Sequence, residues 1–102
     1  MLQLFVVRGR SMAPELSEGD LVVTTSGEPK VGDVVVYHGP DNFRIVHRVV
    51  SIAADGYRMR GDARDTCDPA PVRRAQILGR VRCVIPHIGR VPLCLRRRAR
   101  KN

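Results

Sequence analysis

Short β-branched apolar runs, each cut off by Gly, Pro or Asp, are the feature of this sequence that most restricts its fold. Runs occur at 2–7, 20–25, 34–37, 43–52, 57–60 and 77–85, and a further short one falls within 86–93. The breakers between them are turn formers such as Ser26-Gly27-Glu28-Pro29, Gly32-Asp33, His38-Gly39-Pro40-Asp41-Asn42 and Ala54-Asp55-Gly56. No long stretch keeps a helical period, and the polar segment Gly9 to Gly19, with Pro14 inside it, has room for at most one helical turn. Residues 63–75 carry two prolines and alternating charges and read as a loop. The pattern predicts six or seven short strands in an all-β (mostly β) fold, a compact curled antiparallel sheet or barrel.

A chain of 102 residues can bury one core, so a single domain is expected over 1–95, followed by a basic, disordered tail over 96–102. With four aromatic residues and no Trp, Val, Ile and Leu must fill that core. The formal net charge of +8 is partly a property of the tail, where Arg96, Arg97, Arg98, Arg100 and Lys101 lie. Such a tail attracts phosphates of nucleic acid or anionic lipid, although a solubilising end is the ordinary reading. A nucleic-acid partner is argued against by the lack of a recognition helix or an aromatic stacking surface.

The three cysteines, Cys67, Cys83 and Cys94, are odd in number and form no Cys-x-x-Cys pair, which argues against a zinc knuckle or a dithiol redox motif. Free thiols in a reducing compartment are the simplest reading. No segment approaches the ~20 apolar residues of a membrane span, and Met1 to Arg8 is too short for a secretory signal. The expected location is therefore cytoplasmic, with membrane association only through a partner. No cofactor is called for. The spacing of Asp62, Asp65 and Asp68 lacks the alternation and terminal Glu of a calcium loop, so no metal is expected either.

Three places carry side chains suited to chemistry. Ser11 sits in a Gly- and Pro-bounded loop, Gly9-Arg10-Ser11-Met12-Ala13-Pro14, where a hydroxyl can be exposed among free backbone amides. A loop serine more commonly caps a turn. His47 lies in the apolar run Ile45 to Val50, and a neutral imidazole there could accept a hydroxyl proton, although strand histidines are more commonly structural. Gly61 to Asp68 supplies Asp62, Asp65 and Asp68 directly after a strand; one could orient an imidazole, or all could form an ordinary acidic turn.

Taken in order, Ser-Met-x-Pro-x-Leu-x-x-Gly-Asp from Ser11, Val-Gly-Asp-Val-Val-Val-Tyr from Val31, Val-His-Arg-Val from Val46 and Arg-Gly-Asp-x-x-x-x-x-Asp from Arg60 resemble type I signal peptidases. The resemblance covers residues 9 to 68, and more loosely extends to about residue 85. It implies the signal-peptidase and LexA-like fold, with Ser11 as nucleophile and Met12 and Pro14 as supporting residues of its motif. Bacterial members and the LexA-like repressors use a lysine base, whereas His47 stands in the corresponding strand here. That is similar to the endoplasmic-reticulum and archaeal branch, in which Ser, His and Asp act together. On that branch's pattern Asp68 falls at the catalytic acid and Asp62 at a supporting carboxylate, while Asp65 matches an acidic position of the bacterial loop. Gly9 offers no hydroxyl to an oxyanion hole, which puts more weight on the Ser11 backbone amide.

The membrane anchor and the large second domain of many family members are not seen in these residues. The expectation is a serine endopeptidase acting on a protein or peptide substrate, a precursor or leader peptide with small residues before the cut. A membrane protein or exporter is the partner to look for. The alternative of another class is a non-catalytic regulatory or binding module of LexA-like fold whose basic tail contacts nucleic acid. A self-cleaving repressor domain would need a scissile segment before Ser11, and only eight residues precede Gly9.

Overall fold

The computed structural model describes residues 2–9, 11–39, 43–68, 70–86 and the backbone of 93–94. The tail at 96–102 and most of the 86–93 run lie outside the described residues. Among the described residues seven strands form: β1 (Leu2–Val6), β2 (Leu21–Thr25), β3 (Val34–His38), β4 (Arg44–Ala53), β5 (Gly56–Arg60), β6 (Ile77–Ile85) and the two-residue β7 (Leu93–Cys94). A 3-10 turn at Arg74–Gln76 leads into β6. The fold is all-β, as the punctuated apolar runs predict.

Every pairing is antiparallel, in the order β1-β2-β6-β3-β4-β5, with β7 on β6. Cys83 and Val84 of β6 pair with β2 on one edge and with β7 on the other, so β7 continues along the edge that β3 occupies at Ile77 to Arg80. Register shifts in β2/β6, β3/β6 and β4/β5 bend the sheet. The barrel alternative is corrected: the path ends at β1 and β5, which do not pair. Paired strands lie ~4.8 Å apart. Here a cleft keeps β1 away from the first half of β4.

β3 explains why the run Val34-Val35-Val36-Tyr37 has no polar alternation. Both of its faces are covered. Val34 and Val36 join Val7, Met12, Leu16, Val22, Val81 and Val84 on one side. Val35 and Tyr37 join Val49, Tyr57, Met59, Val72 and Ile77 on the other. Side chains opposite one another across a ladder share a face. Val35 pairs with His47, which places the imidazole on the Tyr37 face.

Two identical turns open β2 and β3. In Ser17-Glu18-Gly19-Asp20 the Asp20 carboxylate accepts the Ser17 N–H at 2.9 Å, and Asp20 N–H donates to the Ser17 carbonyl at 3.0 Å. In Lys30-Val31-Gly32-Asp33 the same bonds run from Lys30 N–H to Asp33 at 2.8 Å and from Asp33 N–H to Lys30 O at 3.0 Å. Gly19 and Gly32 take φ of 95° and 94°, a conformation that costs little only without a Cβ. The Gly19-Asp20 and Gly32-Asp33 pairs are thus strand-opening devices.

Candidate active site

The side chains of Ser11, His47 and Asp68 meet at one end of the sheet. Ser11 begins a tight turn closed by Leu16 N–H donating to Met12 O at 2.9 Å, and the buried Met12 and Leu16 anchor that turn in the core. His47 is held on β4 between Val46 and Arg48, 6% exposed. Asp68 closes the loop after β5, where its N–H donates to Met59 O at 2.7 Å. The imidazole spans the other two: Nε2 is 3.0 Å from Ser11 Oγ and Nδ1 is 2.6 Å from Asp68 Oδ2. An ionised carboxylate can only accept, so the Nδ1 proton belongs between His47 and Asp68, and Nε2 is left to accept from the Ser11 hydroxyl.

Tyr37 is the site residue that the motif reading passed over as part of a strand. Its hydroxyl donates to the same Asp68 Oδ2 at 2.9 Å, and its ring stands edge-on to the imidazole at 6.3 Å between centroids. Burial, then the hydrogen bond to Asp68 and that group's charge, push the Tyr37 hydroxyl well above the ordinary tyrosine range, so it stays a donor. The signal for it was a phenol within an apolar run: a buried tyrosine hydroxyl needs a partner.

The other carboxylates of the loop do different things. Asp62 accepts two bonds from Arg48, Nε at 2.9 Å and Nη2 at 2.8 Å. Arg48, 8% exposed, also donates to Gly32 O at 2.9 Å and lies 3.9 Å from Glu15. Asp62 N–H donates to Met12 Sδ at 3.3 Å, which ties the two supporting positions together. Pro14 is exposed on the Ser11 turn, and Asp65 is exposed on the loop. The structure thus gathers Ser11, His47 and Asp68, sets Asp62 and Met12 beside them, and leaves Pro14 and Asp65 at the surface.

Gly61 is where the loop and the serine turn touch. Ala63 N–H donates to Ser11 O at 2.8 Å. A Cβ on Gly61 would collide with that carbonyl oxygen and stand 2.9 Å from Ser11 Cβ and 3.1 Å from His47 Nε2. Only a hydrogen fits there without pushing Ser11 away from His47.

Ser11 and His47 open into a cleft of about 1150 Å³ between Leu4, Phe5 and Val6 of β1 and Arg44, Ile45 and Val46 of β4. β5 reaches only to Arg48 on β4, so Arg44 to His47 have no ladder partner on the side away from β3 among the described residues. Among the described residues β1 likewise pairs on one edge alone. Among the described residues, no group of three or more His, Cys, Asp and Glu could hold a metal ion, and no helix is long and apolar enough to cross a membrane.

The family model of signal peptidase, peptidase S26, matches residues 1–64. That segment holds Ser11 and His47 and ends before Asp68. Signal peptidase I W of Bacillus subtilis (strain 168) is 33% identical over 81 residues, covering 68% of this chain and 43% of that protein. The chain therefore spans less than half the length of that curated relative. No solved structure matches it. With well over half of its residues matched by the family model, the chain belongs to the signal peptidase, peptidase S26, family.

Proposed function

We propose that the protein is a serine endopeptidase of the signal-peptidase type working through Ser11, His47 and Asp68, as in the Ser-His branch of the family. The observation that carries this reading is the imidazole bridging Ser11 Oγ at 3.0 Å and Asp68 at 2.6 Å. Nε2 takes the Ser11 proton as Oγ attacks the scissile carbonyl, and the Ser11 backbone N–H faces the developing oxyanion. Collapse of the tetrahedral adduct expels the amine, which receives the proton from His47. Water then attacks the acyl-enzyme by the same route in reverse. Asp68 holds the imidazole in the tautomer that leaves Nε2 free to accept.

The substrate in this reading is an extended precursor or leader peptide with small residues before the cut. It lies in the cleft as an added strand against the unpaired edges of β1 and of Arg44 to His47. Its backbone hydrogen bonds replace those that an open sheet leaves unmade. A cytoplasmic site of action, with a membrane protein or exporter as partner, belongs to the same proposal.

An acylating serine inhibitor tests it. Intact-mass and peptide mapping should find one adduct, on Ser11, absent from Ser11→Ala and from protein denatured before labelling. Labelling that survives in the Ser11→Ala variant removes Ser11 as nucleophile. Tyr37 acts in this scheme as a positioning residue. A hydrogen bond to a charged group contributes ~1.5–3 kcal/mol, so Tyr37→Phe should lower kcat about ten-fold or more. KM should stay near the native value because the phenol does not line the cleft. A rise in KM with kcat unchanged would assign Tyr37 to substrate binding instead.

A further inference from the structure

We infer that the cleft selects peptides with acidic side chains flanking the cut, because three cationic side chains converge on it from separate elements. Arg8 follows β1, Arg44 begins β4 and Arg64 lies in the loop after β5, and all three line the cleft. Each stands three positions from a residue of the site: Arg8 from Ser11, Arg44 from His47, and Arg64 from Gly61, which abuts both. The inference rests on the peptidase reading and adds a charge requirement to it.

No Asp or Glu lines the cleft among the described residues. Ion pairs form at Arg48, Arg58, Arg74 and Arg80, but among the described residues none joins Arg8, Arg44 or Arg64 to a carboxylate. Arg44 is nevertheless held in place, its guanidinium carbon 5.4 Å from the centre of the Phe5 ring across the cleft. Positive charge in a concave, partly apolar wall has a stronger field than the same charge on an open face. Apart from Ser11 and His47 the remaining wall is apolar, with Leu4, Val6, Ile45 and Val46 among its side chains. Its volume exceeds the ~300–1,000 Å³ of small-molecule sites and suits several residues of an extended chain. A concave wall also fits a peptide better than it fits the flat surface of a membrane. Three residues of strand span about 10 Å, so an acid about three residues from the cut bond reaches Arg44.

The test uses two fluorescent peptides with the same Ala-x-Ala core, flanked at three residues' distance by Glu in one and Lys in the other. Binding is read by fluorescence anisotropy on the Ser11→Ala protein, so it does not depend on turnover. Exposed ion pairs contribute modestly and are screened, so the Glu peptide should bind about ten-fold more tightly at ~50 mM salt, falling to about two-fold at ~0.5 M. A variant carrying Arg8→Glu, Arg44→Glu and Arg64→Glu, all at exposed positions, should keep its circular dichroism and invert the preference. Equal affinity for the two peptides, no binding of either, or a preference unchanged in the triple variant overturns the inference. So does loss of sedimentation with phosphatidylserine vesicles in the triple variant while the peptide ratio stays at one, which would assign the cations to a lipid surface. A Glu peptide that binds with the expected salt dependence but is never cleaved by native protein would instead overturn the peptidase reading and leave the charge preference standing.

Discussion

Ser11→Ala and His47→Ala are each expected to reduce peptide cleavage by about 10⁴- to 10⁶-fold, and the double variant to be little worse than either. Both side chains belong to one proton path, so loss of either closes it. Ser11 Oγ, 3.0 Å from Nε2, has no other described base beside it; Lys30 lies in the turn that opens β3, away from the cleft-lining residues. Neither substitution should unfold the protein. Ser11 is partly exposed, and the turn around it is anchored by Met12 and Leu16 rather than by the hydroxyl. The check is kcat on purified protein beside a circular dichroism spectrum. Turnover retained in Ser11→Ala would sink the assignment of the nucleophile.

Asp68→Asn and Asp62→Asn should fail in opposite ways. Asp68 accepts from His47 at 2.6 Å and from Tyr37 at 2.9 Å on the same oxygen. An amide nitrogen in that oxygen's place accepts from neither partner, and its N–H aimed at Nδ1 favours the tautomer that points a proton at Ser11. The expected loss is about 10⁴-fold in kcat with a native-like melting temperature. Asp62 faces a different partner. Its two bonds to Arg48 satisfy a guanidinium that is almost wholly removed from water. Breaking such a pair from one side costs about 3–5 kcal/mol, a large part of the ~5–15 kcal/mol that holds a domain folded. Glu15, at 3.9 Å from Arg48, can take over some of that charge, which puts the expectation at the lower end. Asp62→Asn should therefore melt well below the native protein while retaining activity at low temperature. A stable, slow Asp62→Asn beside a fast Asp68→Asn would exchange the two roles.

The strands were legible because their signals are local. The residues of β6 read from the apolar run at 77–85 are those that form it, and β2 to β5 agree to within a residue at each end. Turn chemistry acts over three or four residues, as the paired Gly-Asp turns show. The loop from Gly61 to Asp68 is the opposite case. Its three carboxylates look alike in sequence, and local chemistry cannot rank them. Asp62 turns to Arg48 and Asp68 to His47 because the Asp68 N–H is fastened to Met59 O and the Ala63 N–H to Ser11 O. The bond from Ala63 to Ser11 joins residues far apart in the chain.

Sequence alone determined that the chain is all-β and that Ser11 and an acidic loop flank the strand carrying His47. Apolar runs and the turn residues that end them act within one element, so they survive without knowledge of the partner strands. Only tertiary structure decided that the sheet stays open between β1 and β4, that Tyr37 joins Asp68, and that Arg8, Arg44 and Arg64 share one cleft. Those outcomes depend on ladder register and sheet bending, which bring together residues tens of positions apart. A shift of one residue in the β3/β4 pairing would turn His47 to the opposite face of the sheet, away from Tyr37.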